Sequence, residues 1–114
     1  MADLNMSVTE LKRCVLVKLS GRIDSSKAGE VERVFQDLES QGRFRIVLDM
    51  SEVEYISSAF LRVLITHMKK AKRFNRGNIY LAAMPPRIRD VFELSGLLPV
   101  FKVYDTVVEA VGDW

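Results

Sequence analysis

The sequence predicts a single α/β domain over residues 1–114. It has a mixed, mostly parallel sheet of about five strands and about four helices, in the order β-β-α-β-α-β-α-β-α. Three observations predict it. Short apolar runs with β-branched residues alternate with stretches whose apolar residues recur at helical spacing. Glycines or prolines stand at the junctions, at Gly21, Gly42, Gly77, Pro85-Pro86 and Gly96. The chain of 114 residues is also near the commonest domain size and long enough to bury about two-thirds of its unfolded surface.

Leu4, Met6 and Val8 alternate weakly with polar residues up to Glu10, as in an edge strand. Lys12-Arg13 suits a turn, and Cys14 to Leu19 is a clear strand ended by Ser20-Gly21, so the two form a hairpin. Gly21 to Ser26 is read as a loop, with Asp24, Ser25 or Ser26 capping the next helix. That helix carries the stripe Ala28, Val31, Val34, Phe35, Leu38 and stops at Gly42. Ile46-Val47-Leu48 is a strand buried on both faces and ended by Asp49. A second helix follows the segment Glu54 to Ala59. Its buried stripe is read as residues 61, 64, 65, 68 and 71, and it stops near Phe74-Asn75-Arg76 before Gly77. Asn78 to Ala83 is the next strand. Pro85-Pro86 opens a helix whose buried side is Ile88, Val91, Phe92 and Leu94 or Ser95, stopped by Gly96. Leu98 to Tyr104 is a final strand. Thr106 and Glu109 have capping-box spacing for a last short helix, and Trp114 either docks on the core or is disordered.

The formal charge of +2 does not argue for nucleic acid, and Lys69, Lys70, Lys72, Arg73 and Arg76 read as the solvated end of a helix. The lone Cys14 forms no internal disulfide and is expected to be a buried, inert thiol in a reducing compartment. No segment has the form of a leader or the length of a membrane span, so a cytoplasmic protein without membrane contact is expected. His67 is the only histidine and is read as exposed. With no cysteine pair, phosphate loop or nucleophile elbow, neither an enzyme nor a metal or other cofactor is expected. Asp49 ends a central strand as the acceptor of a phosphorelay receiver would. No acidic pair follows the first strands to hold Mg²⁺, however, and Lys102 lies inside the last strand. Asp49 is therefore assigned to bonding the following turn.

The segment Ser57-Ser58-Ala59-Phe60 is the candidate site. Ser57 is a good N-cap, which puts Ser58 outward in the first turn over the positive end of the helix dipole. Free N–H groups there tolerate a phosphate. The plain alternative is that both serines only cap.

Four stretches together resemble the STAS domain of bacterial anti-sigma factor antagonists: Val17 to Asp24, Ile46 to Ile56, Ser57 to Leu64, and Phe92 to Leu97. The resemblance covers the chain from about Leu4 to Val111. It implies a non-enzymatic partner-switching regulator that binds an anti-sigma factor with serine-kinase activity. The kinase phosphorylates a serine at the start of the central helix and ends binding, and a serine phosphatase restores it. The family motif there is usually Asp-Ser-(Ser or Thr)-Gly-Leu, with the first serine modified. Aligned on Ile56 and Leu61, that serine is Ser58. Asp24 matches a family aspartate near the partner surface, so the implied docking patch is Asp24, Ser57, Ser58, Ala59 and Phe60. Ser57 takes the place of the motif's aspartate and Phe60 that of its glycine. The Phe60 ring has three readings: it blocks a partner's approach, anchors a different partner, or folds back against Val63 or Tyr55. The alternative function is a STAS scaffold that is never phosphorylated, or a module for a small ligand or nucleotide. In either case a monomer or weak homodimer is expected.

Overall fold

In a computed structural model the described residues are 3–74 and 76–114. Met1, Ala2 and Asn75 lie outside them, the last being part of the expected helix stop. The elements are β1 (Asn5–Glu10), β2 (Val15–Ile23), α1 (Ala28–Ser40), β3 (Arg45–Ile56), α2 (Ser58–Arg73), β4 (Asn78–Ala82), α3 (Pro86–Leu94), a 3₁₀ turn (Leu98–Val100), β5 (Val103–Tyr104) and α4 (Val107–Gly112). They form one mixed sheet in the order β1-β2-β3-β4-β5. β1 pairs antiparallel with β2, and the remaining pairs are parallel. The expected fold class and element order are those observed.

Successive parallel strands step in one direction across the sheet, so right-handed crossovers put α1, α2 and α3 on one face. Their residues Val31, Phe35, Leu64, Met68, Ile88 and Phe92 share a core with Val17, Leu48 and Leu81. The other face is covered by α4, where Ala110 joins Cys14, Val47, Tyr80 and Ala82. Trp114 docks there, stacked on Tyr80 at 4.1 Å between ring centroids. Cys14 is buried as expected. Burial raises its thiol pKa, with the Arg43 charge offsetting part of that. Thr106 caps α4 by accepting from the Glu109 N–H at 3.1 Å, and its hydroxyl donates to the Glu109 carboxylate.

Several boundaries and faces correct the sequence reading. β2 does not end at Ser20-Gly21 but runs on to Ile23, with Gly21 at φ 90°. β3 does not end at Asp49 but continues to Ile56. Two register shifts against β2 explain why: β3 carries an extra residue between Asp49 and Glu52 and another between Val53 and Tyr55. Each bulge turns the inward spacing from two to three, so Met50, Val53 and Ile56 are the buried residues. Asp49 is buried within this strand, and its Oδ1 accepts from the Ser51 N–H at 3.0 Å, as expected for local bonding. The expected final strand shrinks to Val103–Tyr104, preceded by the 3₁₀ turn that begins just before Pro99. In α3, Ile88 and Phe92 are buried, but Leu94 is 89% exposed, and Ser95 at the C-cap is exposed too.

Helix α2 is rotated from its expected face. Phe60, Leu64, His67, Met68 and Ala71 point inward, while Leu61 and Ile65 are only half-buried. His67 is therefore not exposed: it is 5% accessible, with Nδ1 at 2.6 Å from Glu39 Oε2 and Nε2 at 2.8 Å from Glu32 Oε2.

Candidate functional site

The parallel strands deliver the ends of β2, β3 and β4 to one pole, the usual location of binding sites in such sheets. The Ser57 N–H donates to the Ile23 carbonyl at 3.0 Å, which ties the end of β3 to the residue before Asp24. The structure thus brings Asp24 and the Ser57–Ser58 turn together, although they are more than thirty residues apart in sequence.

Asp24 organises its own loop. Its Oδ1 accepts from the Ser26 hydroxyl at 2.6 Å and from the N–H groups of Ser26 and Lys27, both at 3.1 Å. It bonds the turn before α1, while the N-cap position itself is Lys27, which makes no side-chain cap bond. The Ser26 hydroxyl first, then these N–H donors, hold the Asp24 carboxyl below the usual carboxylate range. With a depressed folded-state value, its contribution is present above the ordinary carboxylate pKa. It is lost as pH falls through the depressed one.

Ser57 is the N-cap of α2, with extended backbone and its Oγ accepting from the Phe60 N–H at 3.3 Å. Ser58 is the first helical residue and is exposed. Its hydroxyl has no hydrogen-bond partner among the described residues. The first-turn N–H groups have no intrahelical acceptors, and no acidic side chain occupies this turn. Ala59 is half-buried and lacks the hydroxyl of the motif's third position.

Phe60 requires a correction. Its ring is 0% exposed and belongs to the main core with Ile23, Ile56 and Leu64. It neither blocks an approach nor presents an aromatic to a partner, and it fills the core rather than a surface groove. The helix rotation noted above carries it there.

Two features escaped the sequence reading. Tyr55 is 41% exposed and carries the Arg22 guanidinium 4.4 Å from its ring centroid. The two are cross-strand partners only because of the β3 bulges, so no local spacing signals them. Ala83, after β4, has φ 58°, a left-handed conformation costing a residue with a Cβ about 1–2 kcal/mol. Its N–H donates to the Tyr104 carbonyl at 3.0 Å.

No helix among the described residues is long and apolar enough to cross a membrane. The site offers acceptors, hydroxyls and free helix N–H groups. That chemistry suits docking and anion acceptance.

Comparison with known proteins agrees in sequence and in structure. The model of the STAS domain matches residues 5–110. BtrV of Bordetella bronchiseptica, named as an anti-sigma factor antagonist, is 31% identical over 100 residues, covering 88% of this chain and 85% of its own. The crystal structure of an anti-sigma factor antagonist from Mycobacterium paratuberculosis superposes with a TM-score of 0.88 at 24% identity, covering 97% of this chain and 93% of that one. The phosphorylated form of the Bacillus cell fate determinant SpoIIAA has the same fold, with a TM-score of 0.74 at 21% identity over 96% and 98% of the two chains. With the family model spanning nearly the whole chain and the ends of β2 and β3 meeting the start of α2 at one surface, the chain belongs to the STAS domain family, beside relatives named as anti-sigma factor antagonists.

Proposed function

We propose that the protein is a partner-switching regulator of the anti-sigma factor antagonist type. It binds a serine-kinase anti-sigma factor through Asp24, Ser57, Ser58 and Ala59, with Arg22–Tyr55 at the border. Phosphorylation of Ser58 by that kinase ends binding, and a serine phosphatase restores it. The observation that carries this reading is the division of labour between two adjacent serines. Ser57 does the capping, which leaves the exposed Ser58 hydroxyl without a structural duty. Relatives named as anti-sigma factor antagonists support the partner class, and the phosphorylated SpoIIAA structure supports a phosphate on this fold.

Phosphorylation adds about 1.5–2 negative charges. The helix dipole and the first-turn N–H groups accept them, so the fold survives. A partner packed over the turn loses affinity, because its contact must desolvate that charge. The test is incubation with candidate anti-sigma kinases and ATP, followed by intact-mass and site mapping. One phosphate on Ser58 is expected. Ser58→Asp is expected to leave the melting temperature near wild type while weakening anti-sigma binding roughly 100-fold, or about 3 kcal/mol. Unfolding of that variant would sink the outward placement of the site. Partner binding with no phosphate under any condition would leave an unphosphorylated docking module.

A further inference from the structure

We propose that the pole opposite Ser58 is a second docking surface, fitted to a short acidic segment of a protein partner with an apolar residue among its carboxylates. Four separate segments converge there: the turn before β2, the link from α1 into β3, the end of α2 and the start of β4. The Asn78 N–H donates to the Phe44 carbonyl at 2.9 Å, and the rings of Phe44 and Phe74 stack at 5.0 Å. Gly77 lets these backbones meet, since a Cβ there would lie 2.4 Å from the Phe44 carbonyl oxygen. The convergence gathers Lys12, Arg13, Arg43 and Arg45 on one side of the stacked rings. Lys69, Lys70, Lys72, Arg73 and Arg76 lie at the end of α2. Nine of the chain's 17 basic residues are thus at one pole of a molecule whose net charge is only +2.

Some of these charges have acidic partners. Arg43 pairs with Glu10 at 2.7 Å and Lys70 with Glu39 at 3.2 Å. Lys12, Arg13, Lys69, Lys72 and Arg73 are exposed and make no ion pair among the described residues. Phe74 is 47% exposed, and each ring of the stacked pair borders a concavity. One, of about 310 Å³, is bordered by Lys12, Arg13, Arg43 and Phe44. The other, of about 450 Å³, is bordered by Thr66, Lys69, Lys70, Arg73 and Phe74. An aromatic centre ringed by cations has the anatomy of a protein interface.

The charge pattern favours a short segment over an extended polyanion. Exposed carboxylates border the pole: Glu10, which pairs with Arg43, and Asp37 in the last turn of α1. A duplex or a bilayer presents anions over a plane wider than the pole and would press phosphates against those carboxylates. A phosphate backbone also supplies nothing apolar for Phe74, whereas a peptide can place Leu or Phe beside Asp and Glu. One face of Phe74 is already stacked on Phe44, which leaves less for a nucleobase.

The experiment is fluorescence anisotropy on the full chain with a labelled peptide of Asp and Glu around a central Leu-Phe, about eight residues long so that it spans about 26 Å extended. The comparison probes are a thymidine oligonucleotide of equal charge and phosphatidylserine–phosphatidylcholine vesicles. Salt-sensitive peptide binding is expected, weakened roughly tenfold or more by Lys69→Glu with Arg73→Glu, and likewise by Phe74→Ser. Lys12→Ser with Arg13→Ser, in a separate turn, should also weaken it, while Ser58→Asp should not. Circular dichroism melts establish that each variant is folded. Absence of peptide binding, equal binding by the charge variants, or tighter binding of the oligonucleotide or vesicles would each overturn the proposal.

Discussion

Phe60→Gly is expected to cost about 4–6 kcal/mol of folding stability, combining the loss of a buried phenyl ring with the helix penalty of glycine. Total stabilities of domains this size are about 5–15 kcal/mol, so the variant should be largely unfolded or close to it at physiological temperature. The reasoning starts from the ring's complete burial among Ile23, Ile56 and Leu64. Glycine removes every one of those contacts, and the packed first turn of α2 has little freedom to collapse into the void. The family's usual glycine at this place is therefore not interchangeable with phenylalanine here, because this chain has committed the position to its core. Urea denaturation followed by circular dichroism decides the matter. A midpoint unchanged from wild type would show that the ring contributes no core packing and would reopen the surface reading. Phe60→Leu, which keeps most of the apolar volume, should retain the fold and give a smaller shift in midpoint.

Phe60 also illustrates what local sequence carried and what it did not. The element order was legible because apolar runs, glycine stops and proline starts are local signals. So were the capping role of Ser57 and the outward position of Ser58, since capping follows from residue type and position. The face of α2 was not legible. Leu61 and Ile65 read as core residues, yet Phe60 and His67 are the buried ones. The choice between two adjacent stripes depends on how the helix is docked, which is a tertiary quantity. The extension of β3 beyond Asp49 carries no local signal, because its bulges replace alternation with a spacing of three. Arg22 and Tyr55 meet only through that shifted register, and the basic pole is assembled from segments far apart in the chain. Such features become visible only once the strand register and helix docking are known.

His67 is the residue whose burial most changes the expected energetics. Its ring packs 5.4 Å from Phe35 and bridges α2 to two carboxylates of α1, Glu39 at 2.6 Å and Glu32 at 2.8 Å. Each ring nitrogen thus has one carboxylate oxygen within hydrogen-bond distance. The Glu39 side chain is 8% exposed, and its other partner, Lys70, is half in solvent. His67→Leu should therefore cost about 3 kcal/mol, chiefly because it leaves the Glu39 carboxylate buried with a single exposed cation. The Glu32 contact adds little to this, since that side chain is 38% exposed and its pairing is screened by solvent. The second substitution separates this account from a simple packing loss. If an uncompensated carboxylate is the cause, adding Glu39→Leu to His67→Leu removes the stranded charge and should recover much of the lost stability. A packing origin predicts instead that the two losses add. Denaturant midpoints of the four proteins in this cycle distinguish the two accounts. Additive losses, or a His67→Leu variant as stable as wild type, would mean that the bridge between α1 and α2 is geometric only and that the helices are held by Phe35, Leu64 and Met68 alone.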